Sequence, residues 1–373
     1  MPKISKLKVQ ILLRKNAVLI IAFFAALITC FLVPPDKEYA GYFDFKTLSC
    51  LFMTLAVVCA LGNINFFTFL SRKIVRFTGN LRSLSMALVI ITFIGSMLIA
   101  NDMALITFLP LGYFALYSTK NEKYAAFVFI LQNISANLGG MLTPFGNPQN
   151  LYLYSKFSIP TGEFTLIMLP PFLLAVALLM GCCMFLKATP LEIEKDENKG
   201  LNIKKALLFS ALFILSVLSV FRVVHYLVGL AVITVALLIV DRKALRRVDY
   251  GLLLTFVMFF IFAGNMSRID AVSGFLSELL NKNTLLVSIL SCQFISNVPS
   301  AVLLSRFTSN YKALLLGVNI GGTGTLISSL ASLITFNEFK MLYPQKVKKY
   351  LLLFTALNLF FLVTLTAFVM IIW

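Results

Sequence analysis

LSMALVIITFIGSMLIANDMALITFLPLGYFALY, residues 84–117, is an almost unbroken apolar stretch interrupted at its centre by Asn101-Asp102. Basic residues flank it on both sides, with Arg72, Lys73, Arg76 and Arg82 before it and Lys120 and Lys123 after it. Short loops rich in Lys and Arg stay on the cytoplasmic side of a membrane, so both ends of the stretch are expected there. A segment that starts and finishes on one side is a re-entrant hairpin. Its turn has to be buried in protein, because lipid cannot satisfy open backbone N–H and C=O groups. A second stretch, 284–305, reads the same way, with its turn at Ser296-Asn297-Val298-Pro299.

The rest of the chain fits this reading. Of 373 residues, 60% are hydrophobic and 13% charged, about half the roughly 25% of globular proteins. A soluble fold of this length could not hide so much apolar surface, and a disordered chain would not carry it. The net charge of +17 would suggest nucleic acid in a soluble protein. Here 24 of the 32 basic residues fall in segments 1–15, 64–83, 118–123, 187–205, 241–250 and 336–349, all expected in the cytoplasm. The charge therefore reports topology, and no nucleic-acid partner is expected. The fold class is an all-α polytopic membrane protein in the cell (inner or plasma) membrane. Nine spans are expected, at 16–33, 47–62, 124–150, 164–186, 203–221, 224–240, 251–266, 311–335 and 350–372, with the N-terminus cytoplasmic and the C-terminus outside. The first is read as a retained span, since no small-residue cleavage site follows it.

Three segments of the first half recur in order in the second. Gly62-Asn63 returns as Gly264-Asn265, the tip around Asn101 returns 196 positions later around Asn297, and NLGGMLTPFGNPQNLY (137–152) returns 182 positions later as NIGGTGTLISSLASLI (319–334). Each Gly-Asn pair precedes a partly polar segment, 64–80 or 266–283, that reads as an amphipathic helix on the membrane surface. The copies run in opposite senses. This gives a first inverted repeat at 1–187 (hairpin 84–117, broken helix 124–150), a cytoplasmic loop and linking span at 188–223, and a second repeat at 224–373 (hairpin 284–305, broken helix 311–335). Inverted repeats with discontinuous helices are the architecture of secondary transporters, which bind near the midplane where the repeats meet.

The breaks carry the chemistry. Pro144 and Pro148 remove backbone donors around Gly146, and Gly321, Gly322 and Gly324 loosen the second copy. Unwound carbonyl oxygens suit a hard cation, and restarted helix N-termini favour an anion. The candidate ion- and substrate-binding residues are Asn101, Asp102, Thr143, Gly146, Asn147, Ser296, Asn297, Thr323, Thr325, Ser328 and Ser329, with Na+ expected at Asn101, Asp102 and Asn297. Asp102 is the one acidic residue expected inside the membrane. A charge there costs at least about 2.5–3.5 kcal/mol, so it pairs with an ion or carries a proton, unless it serves the turn as a neutral acid. The six cysteines show no metal-ligand spacing, and vicinal Cys182-Cys183 read as small apolar residues. No nucleotide loop, cofactor motif or catalytic triad is present, so an enzyme is not expected.

The segments SMLIANDMALITFLPL, GGMLTPFGNPQNLYLY, SCQFISNVPSAVLL and NIGGTGTLISSLASLI together resemble the ion-transporter superfamily, which includes divalent-anion/sodium symporters, arsenite permeases, citrate carriers and some sodium/proton antiporters. The resemblance covers about residues 47–373. It implies two hairpins and two broken helices enclosing ions and substrate, a homodimer, and elevator-like movement of the hairpin domain. Divalent-anion symporters carry Ser-Asn-Thr at each tip. This chain reads Ala100-Asn101-Asp102 and Ser296-Asn297-Val298, and the Asn-Asp tip looks closer to the arsenite permeases. The expected activity is secondary active transport of a small anion or oxyanion coupled to Na+ or H+, with arsenite efflux or Na+/H+ antiport as the alternative.

Overall fold

A computed structural model describes residues 17–67, 69, 78–190 and 201–373. Among them the ordered elements are helices, with one isolated bridge between Asn80 and Pro190. The α-helices are α1 (Ala17–Leu32), α2 (Phe45–Asn63), α3 (Leu81–Ile99), α4 (Asn101–Ser118), α5 (Ala125–Gly139), α6 (Pro148–Lys156), α7 (Thr161–Met184) and α8 (Ile203–Val220). They continue as α9 (Tyr226–Val240), α10 (Arg242–Arg247), α11 (Tyr250–Ser267), α12 (Asp270–Ile295), α13 (Asn297–Leu304), α14 (Tyr311–Ile320), α15 (Leu330–Leu342) and α16 (Val347–Ile372).

Seven helical stretches among the described residues are long and apolar enough to cross a membrane. Six correspond to expected spans, and the seventh, Leu81–Ile99, is the first arm of the hairpin. The other three expected spans contain shorter apolar helices, Val18–Leu32, Tyr226–Val240 and Tyr311–Ile320. The last is short because its span is broken at Gly321. Most of the surface helix expected over 64–80 lies outside the described residues. Its counterpart over 266–283 is the first part of α12, which breaks at Asn283 (φ −161°, ψ 90°). The Asn283 side chain accepts from Leu286 N at 2.9 Å and so restarts the helix as the hairpin arm.

Each hairpin packs around its own broken helix, α3–α4 around α5 and α12–α13 around α14. The direction in which each opens follows from α7, which at 1.5 Å per residue is about 36 Å long. Near its start Glu163 accepts from Tyr311 OH at 2.7 Å and pairs with Lys312 at 3.4 Å, beside the mouth of the second hairpin. Beyond its far end Leu186 O accepts from Arg82 Nε and Thr189 O from Leu81 N, at the mouth of the first. Helix α16 gives the same answer. It starts beside Tyr343, whose hydroxyl donates to Glu122 at the first mouth, and ends at Trp373, whose ring lies 5.9 Å from Lys312 Nζ at the second. The mouths therefore lie at opposite ends of the helix bundle, and the tips point toward each other inside it. Around this pair α1 packs on α11, and α2 packs on α8 and α9.

Candidate functional site

The two tips share one backbone geometry. Ala100 sits at φ 62°, ψ 149° and Ser296 at φ 73°, ψ 160°. Only glycine is at ease there, and such residues cost on the order of 1–3 kcal/mol each. The next residue folds its own carboxamide over the turn, with Asn101 Oδ1 accepting from Asp102 N at 3.0 Å and Asn297 Oδ1 from Val298 N at 2.9 Å. A threonine from the break then clasps the descending arm, with Thr143 Oγ1 donating to Met97 O at 2.8 Å and Thr325 Oγ1 to Gln293 O at 3.0 Å. The offsets of 196 and 182 seen in the sequence thus recur as matched hydrogen bonds.

Both tips line a single cavity of about 510 Å³. Asn101, Asp102, Ser296 and Asn297 form its polar end beside Pro148 at the start of α6, while Val18 of α1 and Thr255 and Phe259 of α11 belong to its wall. Among the described residues Asp102 is the one charged member of the lining, and its Oδ1 is buried without a hydrogen-bond partner. Helices α4, α6 and α13 all start at this cavity, and none has a side-chain cap at Ala100, Asn147 or Ser296. The N–H groups of Asp102, Asn297 and Val298 are engaged by Asn101 Oδ1, Ser328 O and Asn297 Oδ1, and Pro148 and Pro299 carry none, so what these ends offer an anion is chiefly the helix dipole, about half a positive charge at each, beside one carboxylate.

The expected residues fall into three groups. Asn101, Asp102, Ser296 and Asn297 meet in the cavity. Asn147 lies behind it and bridges the breaks: its Nδ2 donates to Asn137 O at 3.2 Å and Asn319 Oδ1 at 3.4 Å, and its Oδ1 is buried and unpartnered. Gly146 approaches Gly140 so closely that a Cβ on it would stand 2.5 Å from that carbonyl oxygen. The remaining hydroxyls are turned toward the protein. Thr143 and the exposed Thr325 clasp the hairpin arms, Thr323 Oγ1 donates to Ile320 O, Ser328 Oγ donates to Gly322 O, and Ser329 caps α15 by accepting from Ser332 N.

Five residues outside that set complete the site. Asn137 Oδ1 accepts from Asn101 Nδ2 at 3.2 Å, and Asn319 Nδ2 donates to Asn150 Oδ1 at 2.6 Å. Asn150 Nδ2 in turn reaches the carbonyls of Gly140 and Met141. Asn133 Nδ2 donates to Ser332 Oγ, joining α5 to α15. Gln293 Nε2 donates to Gly321 O at 2.9 Å and Thr323 O at 3.2 Å, while its Oε1 accepts from Thr325 N. Asn137 and Asn319 had a signal in the sequence, as the matched first residues of the best repeat segment. Gln293 had none.

Away from the cavity, Arg268 bonds Asp36 at 2.6 Å and holds its carboxyl below the usual range. Arg306 donates to Tyr42 O, and His225 caps α9. Among the described residues no three His, Cys, Asp or Glu side chains come together as a metal site.

Comparison with known proteins agrees with this geometry. The sequence profile of the citrate transporter family matches residues 9–313. The uncharacterized transporter MJ0456 of Methanocaldococcus jannaschii is 32% identical over 332 residues, covering 88% of this chain and 90% of its own. Inner membrane protein YbiR of Escherichia coli is 30% identical over 312 residues, 82% of each chain. The silicon efflux transporter LSI3 of Oryza sativa is 31% identical over 175 residues, 46% of this chain and 34% of its own.

Proposed function

The chain belongs to the citrate transporter family, within the ion-transporter superfamily, and from that premise we propose that it is a secondary active transporter of a small anion or oxyanion, coupled to Na+ or H+ through Asp102. The observation that carries the reading is the cavity between the two tips, where three helices begin beside a carboxylate oxygen that has no partner. The N-termini favour an anion, and the bare carboxylate needs a cation or a proton before the site is neutral enough to move. Hairpins opening to opposite ends support alternating access, with hairpins and broken helices travelling elevator-like as one body between repeats at 1–187 and 224–373. In this reading the first hairpin and the N-terminus face the cytoplasm, and the C-terminus lies outside.

A second reading follows from the lack of a basic side chain among the described residues of the cavity lining. An undissociated oxyacid leaving in exchange for a proton fits that lining, and one relative is named a silicon efflux transporter. Arsenite efflux belongs to the same chemistry. Both readings are tested in proteoliposomes loaded with candidate anions or oxyacids under imposed Na+ or pH gradients. Wild-type protein is expected to carry one of them in a cation-dependent manner, and Asp102→Asn to insert and fold but lose that dependence. Full cation-dependent transport by Asp102→Asn would remove Asp102 from the coupling role.

A further inference from the structure

The repeat that generates two matching tips does not generate two matching ion sites. Asp102 of the first tip corresponds, 196 positions on, to Val298, so the second tip has no carboxylate. Asn147, whose Oδ1 is buried and unpartnered, corresponds at the other offset to Ser329, whose hydroxyl is already engaged with Ser332. Met97 corresponds to Gln293, whose carboxamide bridges the carbonyls of Gly321 and Thr323 and the N–H of Thr325. Leu142 corresponds to Gly324, where φ is +117° and a Cβ would stand 2.2 Å from Gln293 Oε1. At the second tip, Ser328 O is taken by Asn297 N at 2.9 Å and Ser296 Oγ at 3.3 Å, and Asn297 Oδ1 also accepts from Ser296 Oγ.

We propose that the transporter binds a single coupling cation per chain, at the first tip with Asp102 as its anionic ligand, and that the second tip, closed by Gln293, binds none. The argument rests on the coupled-transport reading and adds to it the number and address of the ion. A buried cation without a counter-charge is expensive to desolvate, and only the first tip supplies one. At the second tip the Gln293 amide donates to the carbonyls that a cation would otherwise draw on. Its N–H groups supply permanently what an ion would supply transiently.

The test uses the purified full chain in detergent and needs no transported substrate. Equilibrium binding of radioactive Na+ is measured at alkaline pH for wild type, Asp102→Asn and Val298→Ala. Proton uptake is then compared between wild type and Asp102→Asn on acidification. One Na+ per chain is expected in wild type and Val298→Ala and none in Asp102→Asn. If Na+ does not bind, one additional proton is expected in wild type relative to Asp102→Asn. Two cations per chain, or binding kept in Asp102→Asn, would overturn the single-site assignment while leaving cation coupling intact. Neither a Na+ nor an extra proton would overturn both. Thermal unfolding of each variant separates loss of the site from loss of the fold.

Discussion

At the first tip Ala100 turns the chain and Asp102 follows, with its Oδ1 buried and unpartnered; at the second, Ser296 turns it the same way and Val298 follows. Their clasps match too, Thr143 on Met97 and Thr325 on Gln293. The two units diverge in the side chains behind the clasps. The second is held by the Gln293 carboxamide, seated against Gly324, and the first has only Met97 and Leu142 in those places. Repetition preserves what the backbone needs in order to turn inside a bilayer. The side chains behind the turns are freer to diverge, as Met97 and Gln293 do.

The largest effect expected from breaking this comparison comes from the carboxylate. Asp102→Ala should abolish cation-dependent transport in proteoliposomes, whereas Val298→Ala should leave it close to wild type; equal losses would mean that the tips act alike. Converting the second unit to the chemistry of the first, with Gln293→Met, strands the carbonyls of Gly321 and Thr323. Unmade buried hydrogen bonds cost about 1–3 kcal/mol, so its unfolding temperature in detergent should fall by several degrees, and an unchanged midpoint would show the clasp to be redundant. Ala100→Gly works in the other direction. It relieves roughly 1–3 kcal/mol of strain and returns up to about 1 kcal/mol as unfolded-state entropy, so a small rise in stability is expected. Ser296→Gly removes the same strain but also the hydroxyl bonded to Ser328 O, and it should gain less.

The smallest effect lies at the surface. The bond from Arg268 lowers the Asp36 pKa in the folded state. Its contribution to stability is therefore present above the ordinary value of 3.8 and is lost as pH falls through the lower folded value. Asp36→Asn should flatten only that acid limb of a stability profile and leave transport untouched.

The hairpins were legible in the sequence because basic residues at both ends of an apolar stretch are expected on one side of a membrane and Asn101-Asp102 interrupts that stretch. The offsets were legible as well, but Thr143 and Thr325, expected to bind ion or substrate, instead bond to Met97 O and Gln293 O. Four of the expected residues, Asn101, Asp102, Ser296 and Asn297, line the cavity. Thr323, Ser328 and Ser329 were harder to read, because a hydroxyl near a break serves either a ligand or the backbone, and composition does not distinguish them. Here they bond to Ile320 O, Gly322 O and Ser332. Gln293 carried no signal because its partners in the broken helix lie 28 to 32 positions away.

By itself the sequence determined that this chain lives in a membrane and that two of its apolar stretches turn back, and it marked the matching segments around the two turns. Partitioning into a bilayer depends on local composition and on the charges that flank it, both written along the chain. The tertiary structure alone decided that the two tips share one cavity, that Asp102 keeps an oxygen without a partner, and that Gln293 closes the second tip. A hydrogen bond depends on two atoms coming within about 3 Å, and only the packing of distant segments sets that distance.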